Sequence, residues 1–174
     1  GGSVRGVVAA KLGLDYTGCD LRVEQVAANR EQGAELLIDA PGSAEWVEGD
    51  SRETVPGLDI AADLIFTCPP YGDLERYSDD PGDLSAMEWA DFARAYREII
   101  AAACAKLHKD RFAVIVVGEF RDQKTGIYRG LVPATIAAFE KAGLRYYNEA
   151  ILVTAIGTLP LRAAGGFSAS RKLG

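Results

Sequence analysis

The chain has 174 residues, 48% of them apolar, and a formal net charge of −6, which suits one globular domain with a sizeable core. No apolar run approaches the ~20 residues that cross a bilayer, and no leader pattern opens the chain, so a cytoplasmic protein without membrane contact is expected. The acidic balance argues against a general nucleic-acid coat while leaving room for a local basic face.

In chain order, Val4 to Leu12 reads as a short helix behind a glycine-rich start, and Tyr16 to Asp20 as a short strand. Arg22 to Gly33 predicts a helix with Val23, Val26 and Ala27 on one face, and Pro41-Gly42-Ser43 a loop. Glu45 to Glu48 is the next strand, ending at Gly49-Asp50. Ala62 to Phe66 is a third strand, followed by an acidic loop from Gly72 to Leu84. Ser85-Ala86-Met87-Glu88 has the pattern of a capping box opening a long helix, whose apolar positions run at helical spacing from Trp89 to Cys104. Phe112 to Val117 has the continuous apolar character of a strand buried on both faces. Leu131 to Ala142 predicts another helix, and Tyr146 to Ala155 a long last strand. The chain shows no internal repeat, so residues 1–174 are read as a single domain. Alternation of this kind predicts a mostly parallel α/β sheet, doubly wound by helices on both sides.

Cys19, Cys68 and Cys104 are odd in number and widely spaced among apolar neighbours, and match no zinc or redox spacing. Reduced, buried thiols are the simplest expectation. His108 is the only histidine, which argues against a histidine-ligated metal or a catalytic triad, and it is read as a helix-end residue. No metal is expected.

In doubly wound sheets ligands bind at the carboxyl ends of the strands. Gly1-Gly2-Ser3-Val4-Arg5-Gly6 is a glycine-rich turn entering a helix, which suits close approach of a ligand with a negative group. Gly1-Gly2-Ser3 could equally be a tag remnant. Asp20 is placed either to accept from ribose hydroxyls or to cap the helix starting near Arg22. Asp50, with Ser51, is placed to take an exocyclic amino group, or simply to make a turn.

Thr67-Cys68-Pro69-Pro70-Tyr71, at the end of the third strand, is the most distinctive stretch. Two prolines have no N–H and a fixed φ, so the ladder stops there and stiff carbonyl acceptors stand beside an aromatic ring. That arrangement suits an amino group on a planar base.

Taken together, these motifs resemble the S-adenosylmethionine-dependent methyltransferases, and within them the DNA amino-methyltransferases that modify the exocyclic nitrogen of adenine or cytosine. Cys68-Pro69-Pro70-Tyr71 is similar to the family's polar-Pro-Pro-Tyr signature, with Cys68 in the polar place and Thr67 one residue earlier. Gly1, Gly2 and Ser3 resemble its glycine-rich cofactor loop, Asp20 with Leu21 its ribose-binding acid, and Asp50 with Ser51 its adenine contact. The likeness is to phage-type enzymes, where Gly157 to Arg162 and Ser170 to Gly174 also look familiar.

The resemblance implies a class I, Rossmann-like methyltransferase sheet, S-adenosylmethionine as cofactor, and double-stranded DNA with its target base flipped out as substrate. It implies Thr67 to Tyr71 as the catalytic turn and Tyr71 as the base-stacking ring. From the residues themselves, Arg162, Arg171 and Lys172, in a stretch without acids after Glu149, are read either as phosphate contacts or as a solvated tail. Tyr77 is read either as a substrate contact from the acidic loop or as part of a solvated loop. The family's first strand precedes the glycine loop, so a sheet lacking its first and last strands is expected, completed by a further segment or a partner. RNA or protein-glutamine methylation, or a catalytically silent binding module, are the alternative functions.

Overall fold

The computed structural model describes residues 2–74, 76–122 and 124–153. These residues form a mixed α/β structure with five α-helices and two small parallel sheets. Among these residues no helix is long and apolar enough to cross a membrane.

The first half contains α1 (Val4–Lys11), β1 (Tyr16–Asp20), α2 (Val23–Leu36) and β2 (Ala44–Glu48). β1 and β2 pair in parallel, from Tyr16 opposite Ala44 to Asp20 opposite Glu48, with α2 as the crossover. Trp46, 4% exposed, fills the space between this pair and the two helices. A Cβ on Gly6 or on Gly33 would each lie 2.6 Å from the Trp46 ring, so both helices come as close as their backbones allow. Arg30 on α2 ties down the same residue, donating from Nη2 to the Trp46 carbonyl at 2.7 Å. α2 turns Val26, Asn29 and Gly33 inward rather than the expected Val23 and Ala27, because Gly33 is what allows the helix onto the ring.

The second half contains α3 (Ser51–Gly57), β3 (Ala62–Thr67), α4 (Trp89–Ala105), β4 (Leu107–Ile115) and α5 (Leu131–Lys141), with short 3-10 turns at Gly72–Leu74 and Leu84–Ala86. β3 and β4 form the second parallel pair. α4 is the amphipathic element its spacing predicted: Phe92, Tyr96, Ile100 and Cys104 face Phe120, Leu131 and Ala138 in one buried cluster. Trp89, Phe92 and Tyr96 stack in sequence along it, with centroids 5.3 and 5.5 Å apart.

Several expectations change. The sheet is not continuous and doubly wound: among the described residues β1 bonds to β2 alone, and β3 to β4 alone. The crossover through α3 delivers β3 to β4 rather than to the first pair. β4 starts at Leu107, so His108 lies in a strand and not at a helix end. Its pairing is irregular beside Ala62, where Asp110 takes φ 59° and the strand bulges. Phe112 to Val117 is covered on one face only, since Phe112, Val114 and Val116 are exposed with Leu64 and Phe66. The Ser85 capping box does not form, because its hydroxyl is taken by Asp83, and Glu88 stands at the N-cap of α4 without a side-chain bond. Tyr146 to Val153 belongs to no strand, and the last two residues of that expected strand lie outside the described residues. Of the three cysteines, all free, Cys104 is buried, Cys19 is half-buried and Cys68 is exposed.

Candidate active site

The Thr67–Tyr71 turn leaves β3 at its carboxyl end, as its two prolines dictate. The ladder makes one last bond there, from Val116 N to the Thr67 carbonyl at 2.9 Å. Cys68 then points to the surface, Pro69 is buried, and Pro70 and Tyr71 are half-buried. Tyr71 meets Phe120 edge-on, with centroids 6.5 Å apart and an interplanar angle of 80°. Burial pushes the Tyr71 phenol up from its ordinary pKa, the neighbouring Cys68 thiol adds to the rise, and the Gly118 backbone opposes it. Gly72 follows at φ 55°, and a Cβ there would lie 2.8 Å from Phe120, so glycine is required for the chain to pass this ring.

The acidic stretch after Gly72 is built around one buried carboxylate. Asp83 accepts from Ser78 Oγ at 2.7 Å, from Ser85 N at 2.8 Å and from Ser85 Oγ at 2.6 Å. Tyr77, named from sequence as a substrate contact, is exposed, and its backbone N–H donates to Ser85 Oγ at 2.9 Å. From there the loop reaches the first half of the chain. A Cβ on Gly82 would lie 3.3 Å from Asp50 Oδ2 and 3.6 Å from Leu21 Cδ1.

The carboxyl ends of β1 and β2 are joined by Gly49 N donating to the Asp20 carbonyl at 3.0 Å. This brings Asp20, Leu21 and Asp50 together beside the loop. Asp20 Oδ1 accepts from Arg22 N at 3.0 Å, closing the turn into α2 without capping it. Asp50 is the N-cap of α3, accepting from Arg52 N at 2.8 Å. The Arg52 side chain also donates to it, from Nε to Oδ2 at 2.9 Å, and these bonds hold the Asp50 carboxyl below its ordinary pKa. Ser51 opens α3 and is half-buried. Gly2 has open space around it. Ser3 is 3% exposed and its hydroxyl donates to Gln32 Oε1 at 2.6 Å, binding α1 to α2. Gly1, Arg162, Arg171 and Lys172 lie outside the described residues.

Carboxylate acceptors beside an apolar side chain suit the hydroxyl and amino groups and the ring of a nucleoside. The Asp50 carboxylate and the apolar Leu21 side chain meet beside a glycine that lets the loop come close, with Asp20 joined to the same strand end through its backbone carbonyl. No three His, Cys, Asp or Glu side chains group as metal ligands among the described residues.

Sequence reading did not mark Phe120 or Glu119. Phe120 is 6% exposed and touches both Tyr71 and Trp89, while the Glu119 carboxylate accepts from the N–H groups of Gly130, Leu131 and Val132 at the start of α5. The available signal was Glu119-Phe120 in the loop that follows the β4 strand, a place where α/β folds carry function. In comparison with known proteins, no family model and no curated protein matches this chain.

Proposed function

We propose that this chain is an S-adenosylmethionine-dependent methyltransferase domain that acts on the exocyclic amino group of adenine or cytosine in DNA, in the cytoplasm. The observation that carries the reading is the Pro-Pro-Tyr turn at the end of β3, continued by a loop that reaches Asp50 and Leu21. One segment of chain thereby runs from the proposed base-stacking turn to the proposed nucleoside contacts.

When bound, S-adenosylmethionine supplies an electrophilic methyl group on sulfur. Asp20, Leu21 and Asp50 are the described residues that would hold it. The remaining work falls to the turn. An exocyclic amine conjugated to its ring is a weak nucleophile because its lone pair is delocalised. The Pro69 carbonyl, with the side chain of Thr67 or Cys68, accepts its N–H groups and draws the nitrogen towards a tetrahedral shape. Tyr71 stacks on the flipped base and sets its plane. Positioning and electrostatics do the catalysis, without a covalent intermediate on the protein.

Tyr71→Ala is expected to lower methyl transfer to DNA by roughly 5- to 150-fold, the range of ~1–3 kcal/mol per stacked base, with the cofactor Kd unchanged in calorimetric titration. Equal loss of both would sink the reading. Labelled methyl transfer offered DNA, RNA and protein, with the product identified, separates DNA from RNA and glutamine as acceptors.

A second reading, a silent binding module of the same fold, draws support from the engaged groups in the nucleoside half. Asp50 is held by Arg52 and Ser3 by Gln32. Failure of S-adenosylmethionine to bind in the same titration decides for it.

A further inference from the structure

Between β4 and α5 the chain makes a small antiparallel hairpin that belongs to neither sheet, with Arg121 bridged to Tyr128. Its arms are closed by Asp122 N donating to the Ile127 carbonyl at 2.9 Å and Arg129 N to the Phe120 carbonyl at 3.0 Å. The base is anchored on both sides: Phe120 is buried against Tyr71 and Trp89, and Glu119 is bound by the first N–H groups of α5. The turn is anchored by Asp122, whose Oδ1 accepts from Lys124 N at 2.9 Å and from Thr125 N at 2.7 Å. Its Oδ2 pairs with Arg129 at 2.6 Å.

Both acids of this segment are therefore engaged, the exposed Glu119 by the N–H groups that open α5 and Asp122 by the turn and Arg129. Arg121 and Lys124 are exposed cations. The Arg121 guanidinium lies 3.9 Å over the Tyr128 ring, a cation–π contact that fixes both groups, and one of its N–H donors goes to the Gly126 carbonyl at 2.7 Å. Ile127 and Tyr128 are 68% and 58% exposed. Exposed cations beside an exposed ring, on a braced element of an acidic chain, match a polynucleotide: phosphates for the cations and a base or sugar face for the ring. An acidic peptide would satisfy the cations and leave the ring without a partner.

We propose that this hairpin grips the DNA strand next to the target base, with Arg121 and Lys124 on phosphates and Tyr128 against the nucleotide face. The proposal rests on the methyltransferase reading for the identity of the strand. Phe120 gives it a geometric consequence, because the residue that roots the grip is also the one that braces Tyr71.

The test is fluorescence anisotropy of the full chain with a labelled duplex oligonucleotide across a salt series. Arg121→Ala with Lys124→Ala should weaken binding at least tenfold at low salt and reduce the salt slope by about 2, near 0.9 per phosphate contact. Tyr128→Ala should weaken binding at unchanged slope, and Arg121→Lys should restore the slope. All these side chains are exposed, and circular dichroism confirms that each variant retains its fold. Unchanged affinity and slope in the double variant, displacement of the DNA by poly-glutamate at equal charge, or no binding by the unaltered chain would each overturn the proposal. Hairpin-dependent binding without methyl transfer leaves it standing and removes the methyltransferase reading; methyl transfer with hairpin-independent binding does the reverse.

Discussion

Asp83 is one of several carboxylates in a stretch whose composition suggests plain solvation, yet its side chain is 7% exposed and holds two serines. Burial alone would raise its pKa, but the hydrogen bonds from Ser85 and Ser78 outweigh that and bring it below the ordinary 3.8. A depressed folded value means that the contribution to stability is complete above the ordinary carboxyl range and is lost as pH falls through the folded value. The Tyr77 and Ser85 amide signals should therefore titrate together, with a midpoint below 3.8, when followed by NMR from neutral pH downward. A midpoint at or above that value would show that the serines do not stabilise the charge. Sequence could name Asp20, Asp50 and the Pro-Pro-Tyr turn because each sits at a strand end. It could not separate Asp83 from its acidic neighbours, since the difference lies in which carboxylate the fold covers.

Among the elements, α3 was legible and went unread. Asp50 followed three residues later by Glu53 is a helix-start pattern, but Pro56 and Gly57 in the same stretch read as a turn. At Ser85 the error ran the other way: the local pattern was right, and a nearby carboxylate outcompeted it. α5 enters on Gly130 in the left-handed region, with no capping side chain of its own, so Glu119 supplies the cap from a distance in sequence. Glu119→Ala should cost about 0.5–2 kcal/mol, the usual loss for a helix cap, measured by chemical denaturation. A loss confined to a few tenths would mean that water replaces the carboxylate without penalty.

For the molecule as a whole, the alternation of strand and helix was legible because hydrophobic period reports local structure. Strand partnership was not, because parallel pairing depends on which crossover closes and carries no local mark. The same gap explains the misjudged burial of β4. A continuous apolar run suits two covered faces, but Leu64, Phe66, Phe112 and Val114 stay between 45% and 55% exposed. An apolar face of that kind should bind a hydrophobic dye under native conditions. Fluorescence should fall when Phe66→Lys and Phe112→Lys are introduced together, and an undiminished signal in that variant would place the dye elsewhere.

Trp46 leaves the first half of the molecule with little tolerance. Its indole is a spacer with a glycine pressed on each side, at Gly6 and Gly33, and a single added methyl at either position would overlap the ring. Tyr16 presses on Gly6 as well, at 2.8 Å from the same added methyl, so positions 6, 16, 33 and 46 form one heritable unit. A larger residue at 33 can persist only alongside a smaller ring at 46, and one at 6 needs room from Tyr16 too, so drift at these sites must be concerted while the exposed residues around them vary singly.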